Sequence, residues 1–167
     1  MRPSFEFIKR NLGENLVGVE IGVNRGKHAE ELLKGLDFKK LYLVDIWDKR
    51  AYYIKHGGIL TDEKMYQYVL RTFKDNDKVE IIRKCSVEAA PQFEDESLDF
   101  AYIDADHSYE AVIDDINAWY PKVRERGVLC GHDYHPAWKG VIKATNELAD
   151  KNDWYLFQEK DDWWIIK

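Results

Sequence analysis

Cysteine is scarce: the 167 residues include only two, Cys85 and Cys130. Each falls at the end of an expected strand, so they read as reduced core thiols of a cytoplasmic protein rather than as a disulfide or zinc site. Long apolar runs are missing too. None approaches a membrane span, and Met1-Arg2-Pro3-Ser4 opens no signal-peptide core, so no membrane partner is expected and the expected location is cytoplasmic. Positive charge is in deficit, with 25 Lys and Arg against 31 Asp and Glu for a net −6, which argues against nucleic acid as the main partner. Repeats and low-complexity stretches are absent as well, so one domain over residues 1–167 is expected. What the chain does have is a 45% hydrophobic content and six tryptophans, enough for one well-filled core.

The most informative stretch is Val17-Gly18-Val19-Glu20-Ile21-Gly22-Val23-Asn24-Arg25-Gly26. Leu16 to Ile21 is a β-branched run that reads as a buried strand. Gly22 opens a turn, and Lys27 to Leu36 carries Ala29, Leu32, Leu33 and Leu36 at helical spacing. Strand, glycine turn and helix together make a nucleotide-type cradle at the C-terminal edge of a parallel sheet. The next strand, Leu41 to Val44, ends in Asp45, whose carboxylate suits the two hydroxyls of a ribose. Dinucleotide folds use G-x-G-x-x-G, with the middle glycine letting the backbone approach a pyrophosphate. Here the pattern is E-x-G-x-x-x-G, and Asn24 stands at the middle-glycine position. Glu20 adds an acid that would repel phosphate and attract an ammonium. S-adenosylmethionine (SAM) satisfies these terms: adenosine, no phosphate, a sulfonium and an amino group. The cofactor-binding turn would then comprise Glu20, Gly22, Asn24 and Gly26, with Asp45 beyond it; packing of a buried strand-turn-helix unit is the competing explanation for the glycines.

Strand and helix patterns alternate through the rest of the chain. Helices are expected over Asp62 to Phe73, Ser86 to Ala90, from a Ser108 cap to Tyr120, and over Val141 to Asp150; strands are expected at Val79–Ile82, Leu98–Ile103 and Gly127–Cys130. Trp154–Phe157 and Trp163–Ile166, separated by the charged turn Lys160-Asp161-Asp162, are too close for a parallel crossover and must pair as a hairpin. The fold class is therefore α/β: a Rossmann-like, doubly wound, seven-stranded sheet, mostly parallel, whose last strand runs against the rest. Residues 47–61, rich in aromatics, Lys and Gly, are expected to lie over an acceptor pocket, with a dimer contact or ordinary packing as alternatives. The tryptophan-rich hairpin offers a second surface on which a homo-oligomer could form.

Two strand ends carry unusual polarity: I-D-A-D-H-S-Y-E at 103–110 and G-H-D-Y at 131–134. Adjacent strand ends in such a sheet converge on one crevice, so Asp104, Asp106, Asp133 and the imidazoles of His107, His132 and His135 should gather there. For Asp106, near a helix start, capping is the competing explanation. The architecture and these two runs resemble the class I SAM-dependent methyltransferases, over nearly the whole chain. More narrowly they resemble the small-molecule and sugar O-methyltransferases of macrolide-sugar and cephalosporin-pathway type, and more distantly the catechol and caffeoyl-CoA O-methyltransferases. The resemblance implies Asp104, His132 and Asp133 as ligands of a divalent metal, Mg2+ or Mn2+. It places the general base at His107, where catechol-type enzymes carry lysine. It also sets Ile46, Cys85, Ser86 and Val87 around the adenine, and Glu20, Gly22 and Asp104 near the methionine half; for Ser86 a helix N-cap is an equal explanation. An imidazole at 132 shifts metal preference away from magnesium, and metal-free catalysis by His107 or His135 stays open.

The function expected from these readings is SAM-dependent methylation, on an oxygen of a small hydroxylated acceptor. The alternative from another class is a non-catalytic SAM- or nucleotide-binding module of the same fold. An NAD-dependent oxidoreductase is disfavoured by Asn24 and by the terminal hairpin.

Overall fold

The computed structural model describes residues 2–48 and 62–167, so most of the segment expected to lie over the acceptor falls outside the described residues. Its sheet contains β1 (Leu16–Ile21), β2 (Phe38–Asp45), β3 (Val79–Arg83), β4 (Leu98–Ile103), β5 (Val123–Gly131), β6 (Leu156–Glu159) and β7 (Asp162–Ile166). The seven strands run in the order β3-β2-β1-β4-β5-β7-β6. The first five are parallel, and β7 lies antiparallel to both β5 and β6, as the short hairpin connection demands. The strand order reverses between β1 and β4, which opens a crevice beyond their C-terminal ends.

Strand residues alternate between two buried faces. Leu16, Leu41, Leu43 and Phe100 face α1 (Pro3–Asn11), α2 (Lys27–Gly35) and α3 (Asp62–Phe73), with Ile8, Leu32 and Val69 packing from the three helices in turn. Val19, Ile21, Val44, Ala101 and Leu129 face α4 (Ser86–Ala89), α5 (Tyr109–Trp119) and α6 (Lys139–Asn152), which contribute Ala89, Ile116 and Ala144. Each fully buried large apolar side chain contributes about 1.5–3 kcal/mol, so both faces of the sheet are secured. No helix among the described residues is long and apolar enough to cross a membrane.

Helix α1 has no strong sequence signal. Pro3 occupies its first turn, Lys9 and Arg10 its last, and Phe5 and Ile8 are buried. Arg2, at the N-cap position, offers no side-chain acceptor. Asp162 supplies one from β7 instead: its Oδ2 accepts the Ser4 backbone N–H at 3.1 Å and the Ser4 hydroxyl. A carboxylate there also complements the helix dipole. The sequence places Asp162 in a charged turn with Lys160 and Asp161. It is the first residue of β7 and is buried, while Lys160 takes a left-handed φ of 55° to make the turn. Trp163 and Trp164 are likewise buried within the chain.

Asp162→Ala should therefore destabilise the protein by about 1.5–3 kcal/mol, the usual worth of hydrogen bonds to a charged group. Urea unfolding of this variant beside Asp161→Ala, a neighbouring exposed carboxylate, measures it; equal losses in the two variants would remove Asp162 as the anchor of α1.

Candidate active site

The turn after β1 is built by close approach of the chain to itself. Gly22 has φ +92°, and a Cβ there would lie 2.1 Å from the Asp104 carbonyl oxygen. Gly26 has φ +73°, and its Cβ would lie 2.8 Å from the Phe73 ring. Both glycines are thus required by packing, whatever ligand the turn holds. Asn24 adopts φ 53°, a conformation its short polar side chain tolerates. The Asp45 carboxylate fastens the turn. Its Oδ2 accepts the N–H groups of Val23 at 3.0 Å and Asn24 at 2.8 Å, and its Oδ1 accepts that of Trp47 at 2.7 Å. A carboxylate has about four lone-pair sites, which leaves Asp45 about one for a ligand. Trp47 is buried against Tyr66, and its indole N–H donates to the Asn24 carbonyl at 3.0 Å. Its role is to hold the turn.

A crevice of about 1090 Å³ runs along the strand ends from this turn. At one end stand Asp45, Ile46, Asp48, Cys85, Ser86 and Val87, and at the other Asp104, His107 and Trp138. Among the described residues, six large apolar side chains are exposed, and three of them, Ile46, Val87 and Trp138, line this crevice. That concentration marks a ligand surface more than chance would. Cys85 is only partly buried and lines the crevice, so it is no core thiol, whereas Cys130 is buried. Ser86 does not cap its helix through its side chain; its hydroxyl accepts the Trp119 indole N–H at 2.9 Å.

At the other end the structure gathers a trio. His107 Nε2 lies 2.8 Å from Asp133 Oδ2 and 3.7 Å from Asp104 Oδ1. Both carboxylates act on the imidazole, through hydrogen bonding and through charge attraction. One donor atom from each of Asp104, His107 and Asp133 falls within 4.8 Å of the others, close enough to share a cation. The ligand set implied by the resemblance has His132 in place of His107. Here His132 lies beside the trio, with Nδ1 3.2 Å from Asp133 Oδ1 and Nε2 3.9 Å from Asp162. Asp133 sits at φ 62°, a left-handed bend just after β5. His135 is exposed and accepts the Ala137 N–H, outside the crevice lining. Asp106 accepts the Ser108 N–H at 2.7 Å, so Asp106 rather than the Ser108 side chain finishes the entry to α5.

Burial and charge set the protonation of these groups. Burial opposes a charged His107, but Asp104 and Asp133 outweigh it and raise its pKa to about 9. Burial likewise opposes ionisation of Asp133, yet contacts from His107 and His132 hold it far below the usual carboxylate range. His107 therefore carries a proton at neutral pH and must lose it before acting as a base or ligand. Glu20, fully buried under the turn, behaves oppositely: burial, reinforced by Asp104, raises its pKa far above normal. His28, brought in by α2, is pushed down to about 3 by burial and by Arg2. Glu20 and His28 thus meet at 3.2 Å as a neutral pair, and Glu20 Oε2 and His28 Nε2 are buried without hydrogen-bond partners.

Sequence reasoning missed several members of this environment. Arg2 donates to the Tyr102 hydroxyl and lies 3.9 Å from Asp104, a placement that depends on docking of α1. Trp138, with its ring centroid 4.4 Å from that of His107, was hidden in an irregular stretch. Asp115 and His28 have spacings that signal only helix faces. The nearest thing to a signal was Asp115's place one position before Ile116, on the buried side of α5.

A family model described as a methyltransferase domain matches residues 19–134. An uncharacterized Sinorhizobium fredii protein, y4gI, is 28% identical over 92 residues, which make up 55% of this chain and 10% of that protein. Thus the matched region spans only about a tenth of that relative's length. Among solved structures, the Streptococcus mutans protein SMU.1697c, assigned as a methyltransferase and solved in complex with SAH, is similar with a TM-score of 0.72 at 14% identity, covering 100% of this chain and 98% of its own. The O-methyltransferase NovP is similar with a TM-score of 0.67 at 19% identity, covering 98% and 79% respectively. With the Rossmann-like sheet, the glycine turn and the strand-end acids in place, the chain belongs to the methyltransferase-domain family and has the fold of the class I SAM-dependent enzymes.

Proposed function

We propose that this protein transfers the methyl group of SAM to an oxygen of a small hydroxylated molecule, with the acceptor hydroxyl at the Asp104–His107–Asp133 end of the crevice. The observation that carries this reading is continuity: one crevice is lined both by the Asp45-clamped turn and by Asp104 and His107, which Asp133 joins from behind the lining. In it, adenosine lies at the Asp45 end, with the ribose hydroxyls shared between Asp45 and Asp48. The methionine amino group meets Glu20 and His28, whose unpartnered buried atoms are otherwise costly. Asn24 at the middle of the turn suits a ligand without pyrophosphate.

Methyl transfer from a sulfonium asks the protein for two things: an in-line acceptor and a nucleophilic oxygen. Trp138 provides a wall for the acceptor beside His107. The trio's two carboxylate oxygens and one imidazole nitrogen fit a divalent cation, with Mn2+ favoured over Mg2+ by the nitrogen. A bound cation would supply a lowered pKa for the acceptor hydroxyl. A metal-free course has its own support, because Arg2, His107 and His132 already offset the charges of Asp104 and Asp133. In that course deprotonated His107 takes the acceptor's proton. The non-catalytic alternative of the same fold differs in having no turnover.

Calorimetry should detect binding of SAM and S-adenosylhomocysteine, weakened by about 1.5–3 kcal/mol in Asp45→Ala. Tight NAD binding without either ligand would falsify the cofactor assignment. Turnover should vanish on exhaustive chelation and in Asp133→Ala, and return with Mn2+ in the wild type. Full activity in protein shown by elemental analysis to be metal-free would instead give proton removal to His107 alone, and His107→Gln should then lower turnover by about 10²–10⁴-fold.

His107 also makes a pH prediction independent of activity. Its folded pKa of about 9 lies above the ordinary value of 6.5, so the folded state binds this proton more tightly. The resulting stabilisation is complete below about pH 6.5 and is lost as pH rises through about 9. The stability gap between wild type and His107→Gln should shrink over that window, and the imidazole NMR signal should titrate near its upper end. A gap independent of pH, with titration near 6.5, would contradict the charge arrangement.

A further inference from the structure

Asp115 is a buried acid that the proposed chemistry leaves unused. It is 4% exposed, lies on the sheet-facing side of α5 and still lines the crevice, at the end away from His107. Ser86 couples it to its surroundings. The Ser86 hydroxyl accepts the Trp119 indole N–H at 2.9 Å, and its single proton is hydrogen-bonded to Asp115. This bond takes up only part of the acceptor capacity of Asp115, because a carboxylate has about four lone-pair sites. Ile46 and Val87, 45% and 42% exposed, line the same crevice. Large apolar surface in one crevice with a buried acceptor is the arrangement that a flat heterocycle with an edge amino group would complete.

We propose that Asp115 is a specificity-determining residue that reads the base of the cofactor: with the purine against Ile46 and Val87, its carboxylate accepts a hydrogen bond from the exocyclic amino group. The site thereby selects adenine over 6-oxopurines. This assignment rests on the SAM reading above. A 6-oxopurine would set its own acceptor oxygen against the carboxylate, leaving both without a donor, and sites built around one hydrogen bond reject such analogues strongly. Apart from the Ser86 bond, the alternative role for Asp115 is purely mechanical, tying α4 to α5.

The test compares S-adenosylhomocysteine with S-inosylhomocysteine by calorimetry, in wild type and in Asp115→Asn. Wild type should prefer the adenosyl compound by about 10–100-fold, the range for a hydrogen bond to a charged group. The asparagine amide can donate to a 6-oxo group, so the preference should fall at least about tenfold, through loss of one ligand and gain of the other. A merely mechanical role would weaken both ligands alike, and an unchanged ratio in folded Asp115→Asn overturns the proposal. Should that variant fail to fold, equal wild-type affinities for the two compounds overturn it just as well. If neither compound binds wild type, the cofactor reading has failed and the base assignment falls with it.

Discussion

A single carboxylate organises the working edge of this sheet. Where parallel strands end, the chain must turn away and its backbone N–H groups lose their ladder partners. Asp45 collects three of them, from Val23, Asn24 and Trp47. It thereby joins the exit of β1 to the exit of β2 and fixes where α2 begins. Ile46 is left facing the crevice while Trp47 is drawn inward, and the Trp47 indole closes the loop by donating to Asn24. Without this clamp the three donors would each need water.

The same residue shows what sequence can and cannot disclose. The position of Asp45 at a strand end was readable, as were β1, β4 and α3 to the residue, because period-2 and period-3.6 patterns survive in a short, well-packed domain. That Asp45 spends most of its acceptor capacity on its own backbone was not readable, since turn geometry is not encoded by residue type. The strand-end acids were found for the same reason as Asp45. Their partners were harder: His107 follows the end of β4 and His132 stands beside Asp133 after β5, and residue type alone does not decide which imidazole joins Asp104 and Asp133. Arg2 and Asp162 escaped because their importance arises from contacts between segments far apart in sequence. Asp115 looked like any polar residue on a helix.

Charge in the crevice is distributed unevenly, and the unevenness has a cause. Asp104 and Asp133 remain near solvent and near cations, so charge there is supported by Arg2, His107 and His132. Glu20 is deeper, and its neighbour Asp104 repels a second negative charge, so it holds its proton. His28 cannot compensate by charging, because burial and Arg2 oppose it. The floor of the crevice is therefore neutral but polar, while the end at Asp104 is ionic. A cationic ligand in such a crevice is drawn towards the carboxylates.

The bond between Ser4 and Asp162 joins residues 158 positions apart. Contacts of such separation form late, because the closure entropy of the intervening chain must be met before they give any return. The parallel strands and their crossover helices can assemble beforehand from nearer partners. Helix α1 has no cap of its own and gains one only when β7 enters the sheet, so docking of α1, and with it the placement of Arg2 beside Asp104, belongs to the final phase of folding. The Asp45 clamp draws on residues 23–47 alone, whereas the approach of Arg2 to Asp104 waits on the last strand, so until β7 is in place the acids of the crevice are without this cation.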